Sequence, residues 1–223
     1  ASITSGSVAE NDQSSSTTDA GLSGTLAGAD VDVETLTYGI SGVTAVSGVA
    51  TLAGTYGTLT VNTSTGAYSY TKNSAAVEAL DATETGTDSF TVTVTDGDGA
   101  LVTKTYTVNV SGADDAPTLG NVTAGSVTEI DQSSSTTDAG LSGTLAGADV
   151  DVEPLTYGIS GVTAVSGVAT LAGTYGTLTV NTSTGAYSYS KNSAAIEALD
   201  ATETGADNFT VTVTDSDGAL VTQ

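Results

Sequence analysis

Residues 120–223 repeat residues 1–104 at an offset of 119, and the aligned stretches differ at 13 of 104 positions, nearly all conservatively. The string DQSSSTTDAGLSGTLAGADVDVE stands unchanged at 12–34 and 131–153. Whatever fold one copy adopts must therefore suit the other. A unit of this length exceeds the roughly 20 to 50 residues of a solenoid repeat and has the size of an independent domain. Two domains are expected, at 1–113 and 118–223, joined by residues 114–117. Near-identity of tandem copies points to a recent duplication of the kind that builds long arrays. The sequence also begins without a leader and contains no Met, so it is expected to be part of a longer polypeptide.

Within a copy, apolar and polar residues alternate over short runs separated by turn residues. TLTYGIS (35–41), GTLTVN (57–62), GAYSYT (66–71), SFTVTVT (89–95) and LVTKTYTVNV (101–110) read as strands. NTSTG (62–66) and DGDGA (96–100) read as hairpin connections. SAAVEAL (74–80) is long enough for one or two helical turns. The expectation is an all-β chain of two tandem immunoglobulin-like β-sandwich domains, about seven to nine strands each. Gln223 aligns with Lys104, so the second copy has no counterpart of TYTVNV at 105–110. Tyr106, Val108 and Val110 alternate onto one face, and burying each contributes roughly 1.5–3 kcal/mol. That sum is comparable with the whole stability of a domain, on the order of 5–15 kcal/mol. The second copy is expected to leave an open sheet edge, and the natural domain to continue past residue 223.

Charge narrows the function. Asp and Glu number 26 against three lysines, with no His or Cys, giving a net charge of −23. Nucleic acid and anionic membrane surfaces are poor partners for such a chain. Ser-His and Cys-His catalysis is excluded by composition, as are zinc and copper sites, which need His or Cys. The acids gather in AEND (9–12), ADVDVE (29–34), LDATE (80–84), TDGDG (95–99) and GADDAP (112–117), where Asp114 and Asp115 are adjacent with no cation near in sequence. If 29–34 is extended, Asp30, Asp32 and Glu34 share one side. Two carboxylates about 4 Å apart repel by roughly 4 kcal/mol at an intermediate dielectric, so convergent acids require a cation. Calcium fits best, because it accepts six to eight oxygens in flexible geometry; magnesium is second. No EF-hand loop is present, since Ser41 stands where one starting at Asp30 needs Glu. Single acids such as Asp19 and Asp88 read instead as turn caps or surface cover. Lys72 beside Asn73 reads as a solvated lysine rather than an intramolecular crosslink.

The stretch YGTLTVNTSTGAYSYTKNSAAVEALDATETGTDSFTVTVTDGDGA (56–100), with its counterpart at 175–219, resembles the VCBS repeat. That is a cadherin-like domain found in tandem in very large bacterial surface proteins, including type I-secreted RTX adhesins. The resemblance implies calcium between consecutive domains. By that pattern Glu10, Asp81 and Glu84 of the first domain would act with Asp114 and Asp115 of the linker and Asp149, Asp151 and Asp215 of the second. Asp30, Asp32 and Asp96 would face a preceding domain, and Glu129, Asp200 and Glu203 a following one. Ser111 replaces the linker's leading Asp, and LDATE is one residue wider than the family motif and lacks its Arg, which implies one or two ions rather than three. The resemblance further implies a non-enzymatic extender on the bacterial cell surface, whose partners are neighbouring repeats of the same chain. An alternative is carbohydrate recognition on a platform of Tyr38, Tyr56, Tyr68, Tyr70 and Tyr106; self-association between arrays is another.

Overall fold

A computed structural model describes residues 3–130, 133–200 and 202–223. The chain divides into two compact units, residues 1–115 and 116–223.

In the first unit the strands are β1 (Gly6–Asn11), β2 (Ser14–Ala20), β3 (Ser23–Thr25), β4 (Thr37–Ile40), β5 (Val49–Ala53), β6 (Gly57–Asn62), β7 (Ala67–Lys72), β8 (Thr85–Thr95) and β9 (Leu101–Ser111), with one helical turn, α1 (Ser74–Val77). They form one sheet in the order β2-β1-β9-β8-β4 and a second in the order β3-β7-β6-β5. β9 is central to the first sheet, antiparallel to β8 along its whole length and parallel to β1, with Val8 opposite Val110. Its inward residues Tyr106, Val108 and Val110 are at most 2% exposed. The hairpin between β6 and β7 forms because the Asn62 side chain accepts from the backbone N–H groups of Ser64 and Thr65, both at 3.0 Å, while Gly66 takes φ 68°.

Side-chain polar contacts join the sheets. Asp88 on β8 is buried and accepts from the N–H groups of Thr55 (2.8 Å) and Tyr56 (3.0 Å) and from the Tyr70 hydroxyl (2.7 Å). It is thus an interior anchor as well as a turn cap, a role its sequence neighbourhood does not reveal. Lys72 on β7 is not merely solvated: it pairs with Asp19 on β2 at 2.8 Å and donates to the Thr17 hydroxyl. Lys191 repeats this pairing with Asp138 in the second unit.

The expected extended run at 29–34 is instead a bend. The Asp30 carboxylate accepts from the N–H of Asp32 at 2.7 Å, and Val33 takes φ 65°. An aspartate can close such a local ring more readily than a strand can form without a partner. Alternation therefore does not place Asp30, Asp32 and Glu34 on one side, and Glu34 accepts from the N–H of Asp98 at 3.2 Å, tying the bend to the β8–β9 turn.

The second unit contains β10 (Thr118–Leu119), β11 (Ser126–Glu129), β12 (Thr136–Ala139), β13 (Ser142–Thr144), β14 (Gly147–Ala148), β15 (Thr156–Ile159), β16 (Val168–Ala172), β17 (Gly176–Asn181), β18 (Ala186–Lys191), α2 (Ser193–Ile196), β19 (Val211–Thr214) and β20 (Leu220–Thr222). The sheet β13-β18-β17-β16 reproduces its counterpart in the first unit. The other sheet is broken up. β15, β19 and β20 pair together, whereas β11 pairs only with β12. Residues 204–210 carry no strand, although their counterparts 85–91 pair with 105–111 in the first unit. Among the described residues, β20 corresponds to 101–103, the start of β9, and pairs with β19.

Candidate metal centre

Glu10 is the last inward-facing residue of β1, following Gly6 and Val8 on that face, and it is 8% exposed. Strand periodicity thus carries a carboxylate to the end of the core. α1 buries Val77, and Glu78 follows as its C-cap. After β9 the chain passes across the backbone of Leu80 and Asp81 at Gly112, where an added Cβ would stand 2.0 Å from the Leu80 carbonyl oxygen. Only glycine permits this approach, which delivers Ala113 and the two linker aspartates beside β1. The Ala113 N–H donates to Glu10 Oε2 at 3.2 Å, and the Gln13 side chain donates to the Asp114 carbonyl at 2.9 Å.

The result is a cluster in which Glu10, Glu78 and Asp115 each offer a carboxylate oxygen within 4.8 Å of the others. Glu10 Oε1 and Glu78 Oε1 are buried without hydrogen-bond partners. Burial, reinforced by the negative charges of Glu78 and Asp115, pushes the Glu10 carboxyl up to about 7, against the opposing Ala113 hydrogen bond. Lys72 is committed to Asp19 and does not neutralise the cluster. Unpartnered buried carboxylate oxygens with no nitrogen or sulfur donor beside them fit a hard cation such as calcium.

The sequence reading anticipated Glu10 and Asp115 and missed Glu78. Its only signal was position: Glu78 lies three residues before Asp81 in the segment read as helical, but packing of that turn against the end of β1 is a tertiary event. Asp81 and Glu84 form a turn of their own, in which the Glu84 N–H donates to the Asp81 carbonyl at 2.8 Å and the Glu84 carboxylate accepts from the Asp81 N–H at 3.4 Å. Asp81 Oδ1 is buried without a hydrogen-bond partner. Asp96 accepts from the Ala100 N–H at 2.7 Å and closes the β8–β9 turn. In the second unit Asp215 accepts from Gly218 and Ala219 at 2.7 and 2.8 Å, which leaves Oδ2 buried without a hydrogen bond. Asp149 accepts from the Asp151 N–H at 2.9 Å, repeating the Asp30 bend. Glu129, the counterpart of Glu10, is half-buried, and Asp200 and Glu203 are exposed. Among the described residues of the second unit, no three acids gather as Glu10, Glu78 and Asp115 do in the first.

The tyrosine platform is not available. Tyr68, Tyr70 and Tyr106 are core residues, and the Tyr106 hydroxyl donates to the Gly21 carbonyl at 2.8 Å. Burial, with a smaller contribution from Tyr68, pushes the Tyr106 hydroxyl up to about 12. Tyr38 and Tyr56 are partly buried against the same core.

No curated protein matches the chain. Similar solved structures include the extracellular domain of protocadherin gamma-B4, at 15% identity and TM-score 0.36, over 84% of this chain and 28% of that one. Human CDH23 EC21-23 is similar at 18% identity and TM-score 0.36, over 89% of this chain and 64% of that one. The human desmocollin-1 ectodomain is similar at 16% identity and TM-score 0.30, over 85% and 29%. The chain thus spans between about a quarter and two thirds of the length of these structures. Among the described residues no helix is long and apolar enough to cross a membrane. The model of the bacterial cadherin-like domain matches residues 1–112 and again 114–223, one match to each sequence repeat, and the chain belongs to that family.

Proposed function

We propose that the chain is a calcium-stiffened extender of a large bacterial cell-surface adhesin, a spacer of the VCBS and RTX type that acts outside the cell and holds a binding domain away from it. The observation that carries this reading is the Glu10–Glu78–Asp115 cluster, where burial and mutual repulsion favour an added cation. Glu10, Glu78, Asp114 and Asp115, with the Asp81–Glu84 turn, form the first domain's donor set; Asp149, Asp151 and Asp215 form the second's. Bound calcium would supply the positive charge that this sequence lacks. Without it, repulsion among the linker acids favours bent and variable arrangements, and with it the linker loses that freedom. Outer sets, Asp30, Asp32 and Asp96 at one end and Glu129, Asp200 and Glu203 at the other, would serve adjoining repeats. The role is mechanical and requires no catalytic group; near-identical repeats suit it because length matters more than surface detail.

Small-angle scattering of this chain in calcium and then in excess chelator tests the proposal. A larger maximum dimension with a narrower distance distribution in calcium is expected. Identical profiles would reject the spacer mechanism, and absence of calorimetric heat on calcium injection would reject the ion.

A further inference from the structure

Asp12 and Gln13 form the turn that joins β1 to β2, closed by Asn11 opposite Ser14, and the ladder shifts register between Glu10 and Asn11 just before it. Gln13 takes φ 55°, in the left-handed region that glycine enters freely and a residue with a Cβ enters at a cost. Its side chain makes a contact that glycine could not. The amide donates to the Asp114 carbonyl at 2.9 Å, a bond between residues 101 positions apart. One residue earlier the chain is held again, where the Ala113 N–H donates to Glu10 at 3.2 Å. The two bonds differ in kind. Glu10 belongs to the carboxylate cluster, whereas Gln13 is uncharged and grips a backbone oxygen. Asp115, the next residue, brings a carboxylate oxygen within 4.8 Å of those of Glu10 and Glu78.

We propose that Gln13 is a positioning residue of the metal centre: its amide fixes the peptide between Asp114 and Asp115, so that the Asp115 carboxylate is turned toward Glu10 and Glu78 before an ion arrives. The inference rests on the calcium reading above. A peptide unit is planar, so holding its oxygen sets the direction in which the chain runs on to Asp115. Without the clamp, the linker has to be ordered at the moment of binding, against the mutual repulsion of the three acids. A lysine in the same place would compete with the ion for the carboxylates. An amide holds the linker and leaves them their charge.

Two variants of the intact chain separate side chain from backbone. Gln13→Met keeps the stem and the left-handed cost but has no donor, and Gln13→Gly removes both. In calorimetric titration with calcium, the heat that Glu10→Gln abolishes belongs to this cluster. Both Gln13 variants should bind there about fivefold more weakly, while the first unit of Gln13→Gly unfolds at a higher temperature than that of Gln13→Met. Hydrogen exchange in the calcium-free chain gives a second reading: the amides of Ala113, Asp114 and Asp115 should exchange about fivefold faster in both variants. Unchanged affinity in Gln13→Met, affinity that follows unfolding temperature from one variant to the other, or unchanged exchange overturns the proposal. If the unsubstituted chain takes up no calcium, the function proposed above fails, and exchange alone decides whether Gln13 holds the linker.

Discussion

The Glu10 carboxyl loses most of its water and gains two negative neighbours when the first unit folds, and the pH dependence of stability should report this. Its folded pKa, about 7, lies above the ordinary 4.5, so the folded state holds the proton more tightly than the unfolded chain does. The stabilisation this gives is complete below about pH 4.5 and is lost as pH rises through about 7, an effect of roughly 2 kcal/mol after allowance for solvent screening. Urea denaturation of the calcium-free chain should therefore show the first unit weakening over that window, and Glu10→Gln should flatten the profile. Asp88 presents the opposite case, a buried acid with its bonds satisfied. Asp88→Ala strands two N–H groups and the Tyr70 hydroxyl, and an expected loss of about 3 kcal/mol should appear in the same denaturation assay. Gly112→Ala forces a Cβ against the Leu80 carbonyl and should cost roughly 1–3 kcal/mol while weakening calcium uptake, both measurable by calorimetry. None of these roles could be read from residue type. Asp88 looks like any other turn acid in the sequence, and Gly112 looks like a flexible linker residue.

Among the elements, β9 separates the two units. It supplies three fully enclosed side chains to the first core, whereas among the described residues of the second unit its counterpart is the short β20, matching 101–103 alone. Thermal unfolding should thus proceed in two steps, with the second unit melting first. Val108→Ala, which costs about 2 kcal/mol through lost burial and the cavity left behind, should lower only the upper step in differential scanning calorimetry. A single transition, or a shift in the lower one, would contradict this assignment. The alternating elements were legible in advance: β6 matches the expected run at 57–62, and β8 and β9 contain those at 89–95 and 101–110. β2 was not legible, because SSSTTDA has no apolar alternation and is a strand only by virtue of pairing with β1. The run at 29–34 was misread for the complementary reason. Its alternation is real, but no partner strand is there to reward an extended backbone, so Asp30 closes a bend and leaves Val31 and Val33 exposed.

For the whole molecule, a net charge of −23 makes calcium and ionic strength separable experimentally. Added sodium chloride screens exposed carboxylates over a Debye length, but it cannot replace an ion held by several oxygens at once. Scattering should consequently respond to calcium at constant ionic strength, and magnesium should need at least about tenfold higher concentration, because it sheds its water reluctantly. Equal responses to sodium, magnesium and calcium would show that bulk screening, rather than a built site, controls the chain.

The repeat offset, the strand periodicity and the one-sided charge fixed two all-β domains and a large surplus of acids, because these properties depend on residue type and spacing alone. Membership of the Glu10–Glu78–Asp115 cluster, the interior role of Asp88 and the bend at Asp30 were decided only by tertiary structure. Each depends on which backbone segments approach one another, and a local pattern does not encode distances between residues far apart along the chain.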